Sequence, residues 1–170
     1  MHRLHLRTRW WFLALFCLPV IVVGQETYTL QNILDLTQAP EGVVIEIVTT
    51  DDSGLGWALP QAQTYVKQLH QRFKDLPIAI VSHGREQFAL TRKNQTANSK
   101  EHQTVRSLLQ DDQVQVHVCG TYASWRGLNK EDFPDYVDVA AAGPAQINDY
   151  VALGYLRLII RAKTTHSSYR

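Results

Sequence analysis

The stretch VVIEIV, residues 43–48, is an apolar run broken by one acid and followed by the turn-forming residues 49–56. A short, largely β-branched run bounded by turn signals predicts a mostly buried strand. Directly after the turn, residues 57–74 place apolar side chains at three- and four-residue spacing, which predicts a helix. Pro77 marks the exit of that helix, and the apolar run 78–81 predicts a second strand.

The same alternation continues to the end of the chain. Asn98, with Glu101 three residues later, resembles a helix cap, and the helix after it leads to a strand in which Val alternates with polar residues. Gly143-Pro144 opens a later helix and Gly154 ends it. The remaining predicted elements are an amphipathic segment at 30–36, strands at 114–118, 137–140 and 156–160, and a short helical turn after Gly120.

This order of elements predicts an α/β domain. Strands that alternate with helices of crossover length form a largely parallel sheet, here of about five strands, covered by helices on both faces. The carboxyl ends of such strands meet at one edge, where these sheets usually place their chemistry. We therefore expect three turns to share that edge: residues 49–56, His83-Gly84 and Cys119-Gly120.

The composition supports one domain and argues against some classes of partner. The chain has 170 residues, of which 45% are hydrophobic and 19% charged, as expected for one globular domain with a core. Its formal net charge is +1, without basic blocks or basic residues interleaved with aromatics, so nucleic acid is not an expected partner. Gly54 and Gly56 lack the third glycine and the lysine that bind phosphates, so no nucleotide cofactor is expected either.

The N-terminus has the pattern of a secretory signal peptide. Three arginines without an acid precede an apolar run at residues 10–23, and Gly24 follows it. The run has 14 residues, fewer than the roughly 20 that a membrane-spanning helix needs. We therefore expect residues 1–24 to be removed from an exported protein, periplasmic or secreted, with its domain at 25–162 and a polar tail at 163–170. The alternative is an uncleaved anchor, which would tether the same domain to the outer face of the membrane.

Cys119 is the cysteine that remains after such removal, since Cys17 lies in the discarded segment. A lone exported thiol cannot form an internal disulfide, and it is either a small buried apolar side chain, or a reactive thiol or intermolecular link. At the end of a strand, with a helical turn starting at Gly120, its sulfur can lie against free backbone amides that favour the thiolate. Arg126 can add positive charge. Such a cysteine suits the acceptance and transfer of a sulfur atom.

The sequence around Cys119 resembles that of a known family. Val118-Cys119-Gly120-Thr121 is followed by Arg126-Gly127-Leu128, and then by an apolar strand, Ala142-Gly143 and a helix, as in the DsrE/DsrF-like proteins. An earlier strand of that family often ends in a His-Gly turn, matched here by His83-Gly84. The resemblance extends over residues 43–160.

The resemblance implies a compact three-layer α/β/α domain that commonly forms homo- or hetero-oligomers. In the sulfur-relay branch a cysteine at this position carries persulfide sulfur, so Cys119 would be the sulfur-carrying thiol, with Arg126 and His83 shaping its surroundings. The expected partners are a sulfur donor or acceptor protein, or a small sulfur compound, and further copies of the chain. These features are more typical of a sulfur carrier without a cofactor than of an enzyme with turnover. The alternative is a non-catalytic ligand-binding or assembly module in which Cys119 is structural.

Other residues have a plain interpretation beside a functional one. His83 could orient or protonate a sulfur species, or simply bond backbone in its turn. His117 and Cys119 share one face of their strand and could supply two metal ligands, but no compact second pair accompanies them, so no metal site is expected. Asp51 and Asp52 are adjacent carboxylates that fit a solvated or helix-capping role better than acid–base catalysis.

Overall fold

The computed structural model describes residues 26–110 and 112–161. The expected signal peptide at 1–24 and the polar tail at 163–170 lie outside the described residues. Within the described part, no helix combines the length and the apolar character needed to cross a membrane. The helices are α1 Leu30–Leu34, α2 Leu55–Arg72, α3 Ser99–Gln110, α4 Gly120–Ser124 and α5 Gly143–Ala152. The strands are β1 Gly42–Ile47, β2 Ile78–Ser82, β3 Gln115–Cys119, β4 Asp138–Ala140 and β5 Tyr155–Ile160. Short 3₁₀ helices lie at Arg85–Leu90, Arg92–Asn94 and Lys130–Asp132.

The five strands form one parallel sheet, in the order β4-β3-β2-β1-β5. The chain therefore runs outward from β1 to β4, and then returns to place β5 on the other side of β1. Because all the strands point the same way, the turns after β1, β2 and β3 share the carboxyl edge. The α/β class and the parallel sheet predicted from the sequence are confirmed.

A large apolar core fills one face of the sheet. Val43, Ile45 and Ile47 of β1 point into it, and α1, α2 and α3 cover it with residues such as Leu69, which is fully buried. The spacing of apolar residues along α2 explains its position, since side chains three and four residues apart lie on one side of a helix. This face supplies most of the buried apolar surface.

The opposite face has a single covering helix, α5, and a smaller core. Val44, Ala79, Val81, Ile147 and Tyr150 form that core. The helix contacts β1, β2, β3 and β5. Strand β1 is buried on both faces, so its sequence shows no alternation of apolar and polar residues. The sheet therefore lies between two helical layers of unequal size.

Candidate functional site

Cys119 ends β3 and caps the N-terminus of α4. Its Sγ accepts a hydrogen bond from the backbone N–H of Tyr122 at 3.4 Å. The residue is buried, with 4% of its surface exposed, and it is in no disulfide. The sulfur therefore lies against a backbone amide, as expected for a reactive thiol. Its burial is also what a cysteine that only packs in the core would show.

Gly143, the first residue of α5, brings the helix against both Cys119 and His83. A Cβ built on Gly143 would lie 2.5 Å from the Cβ of His83 and 3.3 Å from the Cβ of Cys119. The absence of a side chain at this position therefore lets α5 approach the sheet, because any larger residue would clash. His83 and Cys119 therefore both border the same glycine.

His83 follows β2 and is held by a buried carboxylate. Its Nε2 lies 2.8 Å from Oε1 of Glu46, which is on β1 and has 4% of its surface exposed. The other oxygen, Oε2, accepts a hydrogen bond from Nε of Arg157 at 2.6 Å. Burial alone would raise the pKa of Glu46, but the hydrogen bonds and charges of His83 and Arg157 outweigh it and leave the pKa below its ordinary value.

Gln87 lies in the 3₁₀ helix after β2 and is fully buried. Its Oε1 accepts the backbone N–H of Cys119 at 2.7 Å, which fixes the orientation of the amide group. Its Nε2 is buried and has no hydrogen-bond partner within the described residues. Such an orphaned donor costs free energy, about 1–3 kcal/mol, unless a ligand or water satisfies it. The amide of Gln87 therefore provides an unused donor beside Cys119.

Glu86 holds the two preceding turns in place. This fully buried carboxylate accepts hydrogen bonds from Oγ of Ser82 at 2.8 Å, from the backbone N–H of Gly84 at 2.9 Å and from that of Thr49 at 2.7 Å. Because one side chain satisfies backbone groups after both β1 and β2, those turns have a fixed relation to each other. The site is therefore built on a rigid frame rather than on independent loops.

Arg126 packs over an aromatic ring. Its guanidinium lies over the ring of Phe88, 5.3 Å from the ring centroid, and its charge helps to lower the pKa of Asp52, after the stronger effect of the bonded Arg85. In the part of the chain that the structure describes, no hydrogen bond, ion pair or ring contact joins Arg126 to Cys119. Arg126, Phe88 and Asp52 instead line a surface cleft of about 470 Å³, together with Ser53, Ala89, Asn94, Asn98 and Leu128.

The remaining candidates have partners of their own. Both ring nitrogens of His117 are bonded, Nδ1 to Asp138 at 2.7 Å and Nε2 to the Tyr150 hydroxyl at 2.8 Å. Asp51 bonds Ser53 within its turn. No group of three or more His, Cys, Asp or Glu in residues 26–110 and 112–161 is arranged to hold a metal ion.

Residue patterns in the sequence indicate Cys119 and His83 as candidates, but Glu46, Arg157 and Gln87 were not among the residues so indicated. The single acid in the apolar run 43–48 is a signal for Glu46, since a buried carboxylate requires partners. Arg157 carries a similar signal as the one charge in strand β5. Gln87 carries none, because the polar residues of a short 3₁₀ helix resemble those of any loop.

Comparisons with known proteins identify a fold and no more. No protein-family model matches the chain, and no curated protein does. Among solved structures, MTH1491 from Methanobacterium thermoautotrophicum, a protein of unknown function, superposes with a TM-score of 0.56 at 19% identity, covering 69% of this chain and 97% of that one. The ychN protein from E. coli covers 70% of this chain and 99% of its own at 13% identity, but its TM-score of 0.49 is too low to support a conclusion. The chain is thus an all-parallel α/β protein that shares its fold with MTH1491.

Proposed function

We propose that this chain is an exported DsrE/DsrF-like protein that carries sulfur as a persulfide on Cys119. The observation that supports it best is the position of the thiol, at the carboxyl edge of β3 with Sγ bonded to the N–H of Tyr122. A backbone N–H at this position stabilises a thiolate or a persulfide anion. His83 and Cys119 both border Gly143, and Gln87, whose Nε2 has no hydrogen-bond partner among the described residues, bonds the backbone N–H of Cys119.

The proposed chemistry needs no cofactor. The Cys119 thiolate attacks the outer sulfur of a donor persulfide, R–S–SH, forming a new S–S bond while the S–S bond of the donor breaks. The electron pair of the broken bond leaves on the donor as R–S⁻, which takes up the proton that Cys119 released. The products are the Cys119 persulfide and R–SH. A second transfer to an acceptor thiol would return Cys119 to its starting form.

The burial of Cys119 favours a small donor. With 4% of its surface exposed, the residue gives a cysteine on a partner protein little direct access. Inorganic polysulfide or a low-molecular-weight persulfide is the donor class that this access favours. A protein donor or acceptor would first require the turn after β3 to open.

Intact mass after sulfur loading tests the proposal. The protein is purified anaerobically, incubated with inorganic polysulfide and compared with the Cys119→Ser variant. We expect a gain of about one or two sulfur atoms in the wild type that reductant removes, and no gain in the variant. Equal masses before and after incubation, with the thiol confirmed as free, would reject sulfur carriage.

Export is a separate part of the proposal. It is supported by the arginines and the apolar run at residues 10–23. Expression of the full chain in a bacterium, followed by cell fractionation, should give a periplasmic product that begins near residue 25. Full-length protein in the membrane fraction would instead indicate an anchor.

A non-catalytic binding module is the second candidate, and the burial of Cys119 and the cleft beside Arg126 favour it. In that case the thiol is packing, and the cleft of about 470 Å³ takes the ligand. A thiol that resists a small alkylating reagent until the protein unfolds would support this candidate. Cys119→Ser would then lower only stability.

A further inference from the structure

We propose that Glu46, His83 and Cys119 act together as a carboxylate–imidazole–thiol set, in which His83 takes the proton of Cys119 and Glu46 is the positioning residue. The inference deepens the proposed function, because it concerns the same thiol. It is nevertheless testable without any sulfur donor. None of its geometry depends on Arg126.

Glu46 determines which nitrogen of His83 can act as a base. An ionised carboxylate only accepts hydrogen bonds, so the Nε2 that lies 2.8 Å from it carries a proton. In the neutral ring, Nδ1 then keeps its lone pair. Nδ1 has no hydrogen-bond partner within the described residues, Cys119 included, so the thiol must turn towards this nitrogen before the proton can pass.

Arg157 in turn fixes the carboxylate. It donates to Oε2 of Glu46 while His83 bonds Oε1, so both oxygens are held and the group cannot rotate freely. The low pKa of Glu46 keeps it ionised at neutral pH. A nucleophile, a base and a group that orients the base are the three parts from which activated cysteines are built.

The surroundings of His83 offer its ring no competing carboxylate. The 3₁₀ helix that follows contributes Glu86, whose oxygens are bonded to Ser82 and to backbone N–H groups. Strand β3 contributes the thiol and His117, whose ring nitrogens are bonded to Asp138 and to Tyr150 of α5, and the first turn of α5 is uncharged. Other charged groups near the turn are Glu46 on β1, Arg157 on β5, Glu86, and Arg85 and Asp52, which are paired with each other.

Gln87 is the independent observation that a ligand atom belongs at this site. Its fully buried Nε2 has no partner, and its Oε1 cannot exchange places with it, because Oε1 accepts the N–H of Cys119. A negatively charged sulfur on Cys119 would give this donor an acceptor. We therefore assign Nε2 of Gln87 to the terminal sulfur of the Cys119 persulfide.

The proton transfers balance in each step. Nδ1 of His83 accepts the proton of the Cys119 thiol, which leaves a thiolate and an imidazolium held by Glu46. The thiolate attacks the outer sulfur of the donor, whose S–S bond breaks, and the imidazolium gives its proton to the leaving R–S⁻. No oxidant or reductant is consumed.

The pH profile of Cys119 alkylation by iodoacetamide tests the inference. At pH 7 we expect His83→Gln to lower the rate about 100-fold and Glu46→Gln about tenfold. At pH 10, where hydroxide in the medium can take the proton in place of His83, the rates should converge. A change in packing alone would alter the alkylation rate at both pH values, so the difference from the wild type would not disappear at pH 10.

Asp138→Asn is the matched control, since it also removes a carboxylate bonded to a histidine on the same face, but at His117. We expect it to keep the wild-type profile. If Glu46→Gln does not fold, Glu46→Asp replaces it, because the shorter side chain withdraws the charge from Nε2. Folded His83 and Glu46 variants with the wild-type profile would overturn the inference, as would a wild-type thiol that reacts only after unfolding. If the alkylation profile is as expected but sulfur loading fails, sulfur carriage is rejected and the role of Glu46 and His83 stands.

Discussion

The two faces of the sheet differ in what they bury. The face covered by α1, α2 and α3 buries a large apolar core, to which α3 adds the buried His102, whereas the face under α5 buries Glu46 and His117 beside a small apolar cluster that includes Val44 and Val81. Apolar burial contributes most of the folding free energy, and buried polar groups contribute only when all are paired. The larger core therefore stabilises a domain whose other face can hold charged and reactive groups.

The largest difference should appear when a core side chain is truncated on each face. Leu69→Ala on the large face is expected to lower the free energy of unfolding by about 4 kcal/mol, and Ile147→Ala under α5 by about 2 kcal/mol. The reason is that a tightly enclosed cavity cannot collapse, while the thinner layer under α5 can relax. Urea unfolding followed by circular dichroism measures both. Equal losses would show that the two faces are equally well packed.

Gly143→Ala tests the close approach of α5 to the sheet. The added methyl would meet the Cβ of His83 at 2.5 Å, so the helix must shift, and we expect a loss of about 1–3 kcal/mol. Gly56→Ala in α2 is the matched control, since its methyl would meet only the end of the Glu101 side chain at 3.2 Å. That variant should be neutral or gain up to about 1 kcal/mol from helix propensity. Similar effects of the two changes would contradict tight packing at Gly143.

As the pH is lowered, each face of the sheet should lose its contribution to the stability of the fold in a different pH range. His102, on the side of the three helices, has a pKa lowered from 6.5, mainly by burial, while the pKa of Glu46 under α5 lies below 4.5. In both cases the unfolded chain binds the proton more tightly than the folded chain does. The contribution to stability is therefore complete above the pKa of the unfolded chain and is lost as the pH falls through the pKa of the folded chain. Unfolding curves from pH 8 to pH 3 should show a first decline below 6.5, reduced in His102→Gln, and a second below 4.5, reduced in Glu46→Gln. An unchanged curve in either variant would reject the corresponding assignment.

The smallest effect is expected at the rim of the cleft. Asp52 forms an exposed bidentate pair with Arg85, at 2.9 and 2.7 Å, and exposed pairs contribute little to stability. Asp52→Asn should leave the unfolding midpoint nearly unchanged and lose its small effect in high salt. A large, salt-resistant loss would mean that the rim supports the core.

The sequence predicts the order of the elements well, because apolar periodicity determines which segments bury a face. It does not predict that β5 lies next to β1, since several parallel orders satisfy the same pattern. The strand ends indicate that the turns carrying His83 and Cys119 share one edge of the sheet. The position of Arg126 over Phe88 depends on tertiary packing, and the pairing of Glu46 with Arg157 depends on the strand order. Neither can be obtained from residue spacing alone.

The pairing of β1 with β5 also affects how the chain folds. Gly42 at the start of β1 is aligned with Tyr155, so β1 receives one of its two neighbours, β5, from a segment much later in the sequence. Contacts between such distant segments slow folding, because a long loop must close before they form. A growing polypeptide therefore has an incomplete sheet, with one side of β1 unpaired, until β5 has been synthesised.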